Sequence, residues 1–267
     1  MIDLHSFARN VRLCWQRRVS FAKFLQHLSW IYSHRLWKGR EWVIGIRYLP
    51  PLGIVRIRVR GNSGADYFIF SEIFEHQCYR FPISSPSTIL DLGANIGMAS
   101  IYFSRQYPQA QIACVEPIGD NLRLLRNNLA MNDVKAYIFS AAIDVADGKA
   151  VMELGDKDYA HRISEQHRIT PVGSTLVVSA LSVGTILDRL RWDRVGLLKV
   201  DIEGHEKTLF AKNCDWLHRI DAMCIECHND FGEADIRSLA ARYGFDQPSL
   251  HQGIWLVHRT RVPSSGG

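Results

Sequence analysis

Along residues 1–40 apolar positions recur at helical spacing, first Phe7, Val11, Cys14 and Trp15, then Phe21, Phe24, Leu25 and Leu28, which predicts one or two helices. Pro50, Pro51 and Gly53 break this rhythm. From residue 54 the period becomes two: Val55, Ile57 and Val59 alternate with Arg56, Arg58 and Arg60, the pattern of a strand with one buried face. Residues 66–70 are expected to pair with it as a hairpin, and 72–79 to form a short helix. After Pro82 and Pro86, short apolar runs at 88–92, 111–115, 136–143, 195–200 and 222–226 alternate with helical stretches at 98–105, 121–131, 183–191, 205–213 and 233–243. Such alternation predicts an α/β fold, a doubly wound and mostly parallel sheet with helices on both faces. No helix fits between 247–250 and 254–258, so an antiparallel final strand should close the sheet. Residues 149–181 read as an insertion with its own strand at 175–179 and a polar loop at 156–170. The expected organisation is a helical N-terminal extension (1–50), a strand, hairpin and helix leading into the core (51–87), a core domain (88–260) and a disordered tail (261–267).

Composition narrows this picture. A chain of 267 residues with 47% hydrophobic and 22% charged side chains can bury a core, which excludes collagen, coiled coil and wholesale disorder. The six cysteines are scattered and suggest reduced thiols in a cytoplasmic protein. Lys23, Gln26 and His27 interrupt the one N-terminal apolar stretch, so neither a signal peptide nor a membrane span is expected. Charge is uneven. Residues 1–60 hold 12 lysines and arginines against Asp3 and Glu41, a local +10 that leaves −5 to the other 207 residues. Four of the seven tryptophans also lie there: Trp15, Trp30, Trp37 and Trp42. A solvated helical appendage is the plain reading of this lead, peripheral contact with an acidic membrane surface is the second, and nucleic acid is not the expected partner.

The densest chemistry starts at Asp91-Leu92-Gly93-Ala94-Asn95-Ile96-Gly97, a strand running through a glycine turn into a helix, where open α/β sheets bind ligands. A dinucleotide would bring its pyrophosphate against Asp91, and the Gly-x-x-x-Gly spacing departs from the Gly-x-Gly-x-x-Gly fingerprint of nicotinamide-dependent oxidoreductases. S-adenosylmethionine instead offers an ammonium and a sulfonium that an acidic turn attracts. Glu116, followed by Pro117, ends the next strand and can accept from ribose hydroxyls, a need shared by both cofactors. At the third strand end, Ala142 could pack on an adenine and Asp144 could accept from its amino group. The run Lys199-Val200-Asp201-Ile202-Glu203-Gly204-His205-Glu206 places more charge beside a strand end than a core tolerates, which points to an active site. Asp201 or His205 could serve as general base with Glu203 beside them, Gly204 would admit a ligand closely, and Glu206 would favour the following helix N-terminus. Glu226, His228 and Asn229 should face the same cleft, with Lys199, Glu226 and His228 expected to touch substrate; a hard metal is conceivable there, and none is assigned. Cys224-Ile225-Glu226-Cys227-His228 matches haem-attachment spacing, but it reads as a sheet strand and no second cysteine pair completes a zinc site.

These pieces together resemble the FkbM-type family of S-adenosylmethionine-dependent methyltransferases. The resemblance rests on the 91–97 turn, Val115-Glu116-Pro117 followed by 129–132, the 181–190 segment and the 198–206 run, and it covers about residues 66–258. It implies a class I methyltransferase (Rossmann-like) fold, S-adenosylmethionine as cofactor, and methylation of a hydroxyl on a sugar, polyketide or other small metabolite or glycan. The basic lead lies outside it.

Overall fold

The computed structural model describes residues 20–33, 39–61, 64–153, 162–163 and 175–260, with Ala8, Val11, Arg12, Trp15, Gln16 and Arg18 ahead of them. The polar loop expected at 156–170 and the tail at 261–267 lie essentially outside the described residues. Among the described residues no helix is long and apolar enough to cross a membrane.

Helix α1 (Phe21–Ser33) follows the predicted periodicity, and its fully buried Trp30 meets the rings of Tyr67 and Phe70 edge-on. The next elements differ from expectation. Strand β1 (Glu41–Arg47) lies inside the stretch read as a helical extension, and it pairs antiparallel with β2 (Ile54–Arg60). Residues 66–70, expected to be β2's partner, belong to helix α2 (Ala65–Phe70), which runs on into a π turn at Ser71–Glu75. Phe68-Ile69-Phe70 has no period of its own, and a short apolar run cannot by itself distinguish strand from helix.

The core domain then proceeds through β3 (Thr88–Leu92), α3 (Met98–Gln106), β4 (Gln111–Val115), α4 (Gly119–Met131) and β5 (Ala136–Phe139). The run expected as one strand over 136–143 divides. The chain leaves the main sheet after Phe139, and β6 (Ala142–Ile143) joins a second sheet with β7 (Gly148–Glu153), β8 (Arg162–Ile163) and β9 (Thr175–Leu181). Helix α5 (Val183–Leu190), capped by Ser182 on the Thr185 amide, returns the chain to the centre. There follow β10 (Leu197–Val200), α6 (Glu206–Leu209), a 3₁₀ turn at Asp215–Arg219, β11 (Ala222–Glu226), α7 (Glu233–Tyr243), β12 (Ser249–His251) and β13 (Ile254–His258). The helix expected over 205–213 is thus a single turn.

The main sheet has the order β12-β13-β11-β10-β3-β4-β5. Strands β11, β10, β3, β4 and β5 are parallel, and β13 runs antiparallel to β11 and β12. The direction of winding reverses at β3, so the carboxyl ends of β3 and β10 open a crevice. Side-chain alternation builds two cores. Ile89, Ile112 and Leu197 pack beneath the β1–β2 hairpin, α3 and α4, while Leu90, Leu198 and Met223 face the side covered by α5 and α7.

The outer edge of β2 is closed by side chains. Asn128 of α4 and Asn132, the residue that caps its C-terminus, each bond both the N–H and the C=O of a strand residue, Arg58 and Arg56 respectively, and the Arg60 amide donates to Asp66. Four residues of helix rise about 6 Å and two of strand nearly 7 Å, so the asparagines stand in for a neighbouring strand.

Candidate active site

Above the carboxyl ends of β3, β4, β10 and β11 lies a cavity of about 330 Å3. Its first half is the glycine turn. The amides of Gly93 and Ala94 both donate to the Val115 carbonyl at 3.0 Å, tying the turn to the end of β4. Gly93 has φ +75°, and a Cβ there would lie 1.8 Å from the Asp201 carbonyl oxygen, so only glycine lets β10 pass. Asn95 also holds a left-handed backbone (φ 48°). Its N–H donates to Glu116 Oε2 at 3.0 Å, and Glu116 Oε1 receives the Ile118 amide and the Asn121 side chain. Burial pushes the Glu116 carboxyl above its ordinary range despite these donors. Three donors leave a carboxylate with acceptor capacity, as ribose hydroxyls require. Gly93, Asn95, Glu116, Pro117 and Ala142 all line the cavity.

Three of the expected cofactor residues do not. Asp91 is fully buried beneath the turn: Oδ1 lies 3.1 Å from Lys199 Nζ, and Oδ2 accepts from Ser100 at 2.6 Å. Its place follows from alternation, because it points to the same face as Ile89 and its register neighbour is Lys199. Gly97 sits against Leu125, where a Cβ would come within 2.6 Å of Cδ1, so it serves helix packing. Asp144 lies outside the cavity lining and bonds His205 Nε2 at 3.1 Å. Lys199, expected to touch substrate, reaches the cavity wall but is buried. Its ammonium is held by the Leu92 and Gly93 carbonyls and by Asp91 and Asp201. Burial opposes its charge, the two carboxylates outweigh it, and its pKa stays raised.

The second half of the cavity is acidic. Asp201, Glu203, His205, Glu226 and His228 line it, as their positions at strand ends anticipated. Burial and the nearby Asp201 push Glu203 up to about 8, and the same two causes bring Glu226 to about 7. Burial alone would lower the His228 imidazolium; the hydrogen bond to Glu206 and the surrounding carboxylates reverse that and hold it at about 9. Glu203 adopts φ 55°, a strained conformation for a non-glycine residue. Gly204, expected to admit a ligand, instead admits Asn229: a Cβ there would meet Asn229 Nδ2 at 2.0 Å. Glu206, read as a helix-terminus residue, is completely buried and accepts from His228 Nδ1 at 3.0 Å and from the Ile202 amide.

Several lining residues escaped the sequence reading. Phe68, Ile69, Glu72, Cys78 and Tyr79 form one wall, with Gln252 and Gly253 between the last two strands. Burial raises Glu72 and lifts the Cys78 thiol to about 12, so that thiol is inert at neutral pH. The only available signal was the proximity of residues 68–79 in sequence to the first core strand.

A family model described as Methyltransferase FkbM domain matches residues 91–246. The chain is 28% identical over 169 residues to "Methyltransferase sdnD" of Sordaria araneosa, covering 52% of this chain and 65% of that protein. It is 22% identical over 245 residues to "31-O-demethyl-FK506 methyltransferase FkbM" of Streptomyces tacrolimicus, covering 77% of this chain and 93% of that one. The solved structure of Methyltransferase FkbM from Methylobacillus flagellatus KT superposes with a TM-score of 0.49 at 15% identity, over 95% of this chain and 59% of that one.

Proposed function

The chain belongs to the FkbM family of S-adenosylmethionine-dependent methyltransferases, and from that premise we propose that it methylates a hydroxyl oxygen of a small metabolite or glycan. The observation that carries this reading is the single cavity joining a cofactor half, Gly93, Asn95 and Glu116, to an acidic half, Asp201, Glu203, His205 and His228. The cofactor's adenosine belongs at Glu116 and Ala142, with the turn at 93–95 against its amino-acid end. The acceptor enters along Phe68, Ile69 and Tyr79, whose apolar surface suits the carbon skeleton of a polyketide or sugar derivative. One relative is named a 31-O-demethyl-FK506 methyltransferase, consistent with oxygen as the acceptor atom.

His205 is the preferred base. With Nε2–H donating to the Asp144 carboxylate, Nδ1 is the nitrogen left to act as base, the arrangement of an oriented imidazole. An in-line displacement at the methyl carbon needs mainly alignment of acceptor and cofactor, and the proton is taken as the oxygen becomes acidic. Calorimetric titration with S-adenosylhomocysteine, with NAD as control, tests the cofactor. Transfer of a labelled methyl group to a panel of alcohols, with amine analogues beside them, tests the acceptor atom. Binding of NAD in place of S-adenosylhomocysteine overturns the reading, and labelled amines without labelled alcohols overturn its choice of oxygen. His205→Gln should lower turnover while leaving S-adenosylhomocysteine affinity intact, and Asp144→Asn should do the same more weakly.

A further inference from the structure

We infer that Asp201, Glu203 and His228 form a binding site for one divalent cation at the acceptor end of the cavity. One ligand atom from each of these three residues lies within 4.8 Å of the others. They come from the ends of β10 and β11, the strands that flank the crevice on its acidic side. His228 Nε2 is 3.9 Å from Glu203 Oε2 and 3.8 Å from Glu226 Oε1. These separations are too long for hydrogen bonds. They suit atoms that share an ion, each at about 2.1–2.3 Å from it. Lys199 engages one oxygen of Asp201 and leaves the other.

An independent feature points the same way. Glu206 lies outside this trio, is completely buried, and aims its carboxylate at the His228 ring; its Oε2 has no hydrogen-bond partner among the described residues. By accepting a hydrogen bond from Nδ1 it orients the imidazole and turns Nε2 toward the Glu203 and Glu226 carboxylates, so that Nε2 is the ring atom placed to ligate a cation once its proton is displaced. A ligating histidine held by an outer carboxylate is the usual construction of a metal site. Two carboxylates and one imidazole in a cavity open to solvent suit manganese, magnesium or iron(II) rather than a thiolate-seeking ion. The inference goes beyond the methyltransferase reading and rests on it only for purpose. A cation here would hold the acceptor hydroxyl and make it more acidic.

The test uses the whole chain, stripped with a chelator and titrated with manganese(II), with free ion followed by electron paramagnetic resonance. One equivalent should bind. His228→Gln and Glu203→Gln should each abolish that binding, and Glu206→Gln should weaken it roughly 10- to 100-fold through the ring it orients. S-adenosylhomocysteine titrated into each variant reports whether the fold and the cofactor half survive. Failure of the wild-type chain to bind manganese, or binding that all three variants retain, overturns the site. If cofactor binding persists in that case, the transferase reading stands alone. Manganese bound at this site without any affinity for S-adenosylhomocysteine would leave the metal site and remove the transferase.

Discussion

At the scale of single residues, the most consequential interaction is one the cavity barely sees. Lys199 and Asp91 are buried side by side on neighbouring strands, and Lys199 also holds the carbonyls of Leu92 and Gly93, so one ammonium pins the turn that shapes the cofactor half. Removing one member of such a pair strands a charge in a low-dielectric interior. Lys199→Met should therefore lower stability by about 3–5 kcal/mol, read as a shift of the urea midpoint at unchanged slope. Adding Asp91→Leu should recover part of the loss, since the remaining uncompensated charge then disappears. Glu116 makes a pH prediction. Burial raises its carboxyl above the ordinary carboxylate range, and the ribose hydroxyls proposed to bind here would donate to the charged form. Protonation removes that acceptor, so affinity for S-adenosylhomocysteine should fall as pH drops through the raised value, starting above pH 4.5. Glu116→Gln should bind more weakly at neutral pH and lose this pH dependence, measured by calorimetry across pH.

At the scale of elements, the glycine turn and the closed edge of β2 show what patterns along a chain can and cannot announce. Period-two and helical stretches placed β2 and most of the core strands and helices, because each buries one face and carries that face in its sequence. Strand β1 was invisible: Trp42, Val43, Ile44 and Ile46 show no apolar–polar alternation, and Ile44, Gly45 and Ile46 are all buried, so no polar face marks the strand. The asparagine pair at 128 and 132 was equally silent, since its partners lie 70 and 76 residues away. Replacing Asn128 by Ala leaves the Arg58 N–H and C=O without that partner, at a cost of about 1–3 kcal/mol, with hydrogen exchange at the Arg58 amide accelerated. The two glycine positions separate crowding from backbone strain. Gly93→Ala brings a Cβ onto the Asp201 carbonyl and should abolish S-adenosylhomocysteine binding, whereas Gly53→Ala, at φ +63° in open space, should cost only about 1–2 kcal/mol of strain and leave binding unchanged.

At the scale of the molecule, the family match at 91–246 contains the chemistry but not the whole vessel. The charged strand ends at 199–206 and 226–228 were legible because clustered charge is costly in a core, while the wall at 68–79 was not, because its residues are ordinary apolar side chains until the fold brings them to the crevice. The hairpin is coupled to that crevice by a chain of polar contacts. Buried Asp66 grips Arg60 of β2 at two nitrogens, Arg60 Nη1 donates to Asn121 Oδ1 at 2.9 Å, and Asn121 Nδ2 donates to Glu116 Oε1 at 3.2 Å. The orientation of Glu116, the proposed ribose acceptor, thus depends on a strand outside the matched domain. Arg60→Gln should take the guanidinium from Asp66, leaving it the strand amide, and free Asn121, loosening Glu116. The loss of one hydrogen bond to a charged group is worth about 1.5–3 kcal/mol, so affinity for S-adenosylhomocysteine should fall roughly 10- to 100-fold. Asn121→Ala should weaken binding in the same direction without touching Asp66. Arg56→Gln, on the same strand with an exposed side chain and its backbone still held by Asn132, should bind normally. Equal affinity in all three would mean that the hairpin is a passive cover; a loss confined to Arg60 and Asn121 would mean that the N-terminal strands are part of the cofactor site.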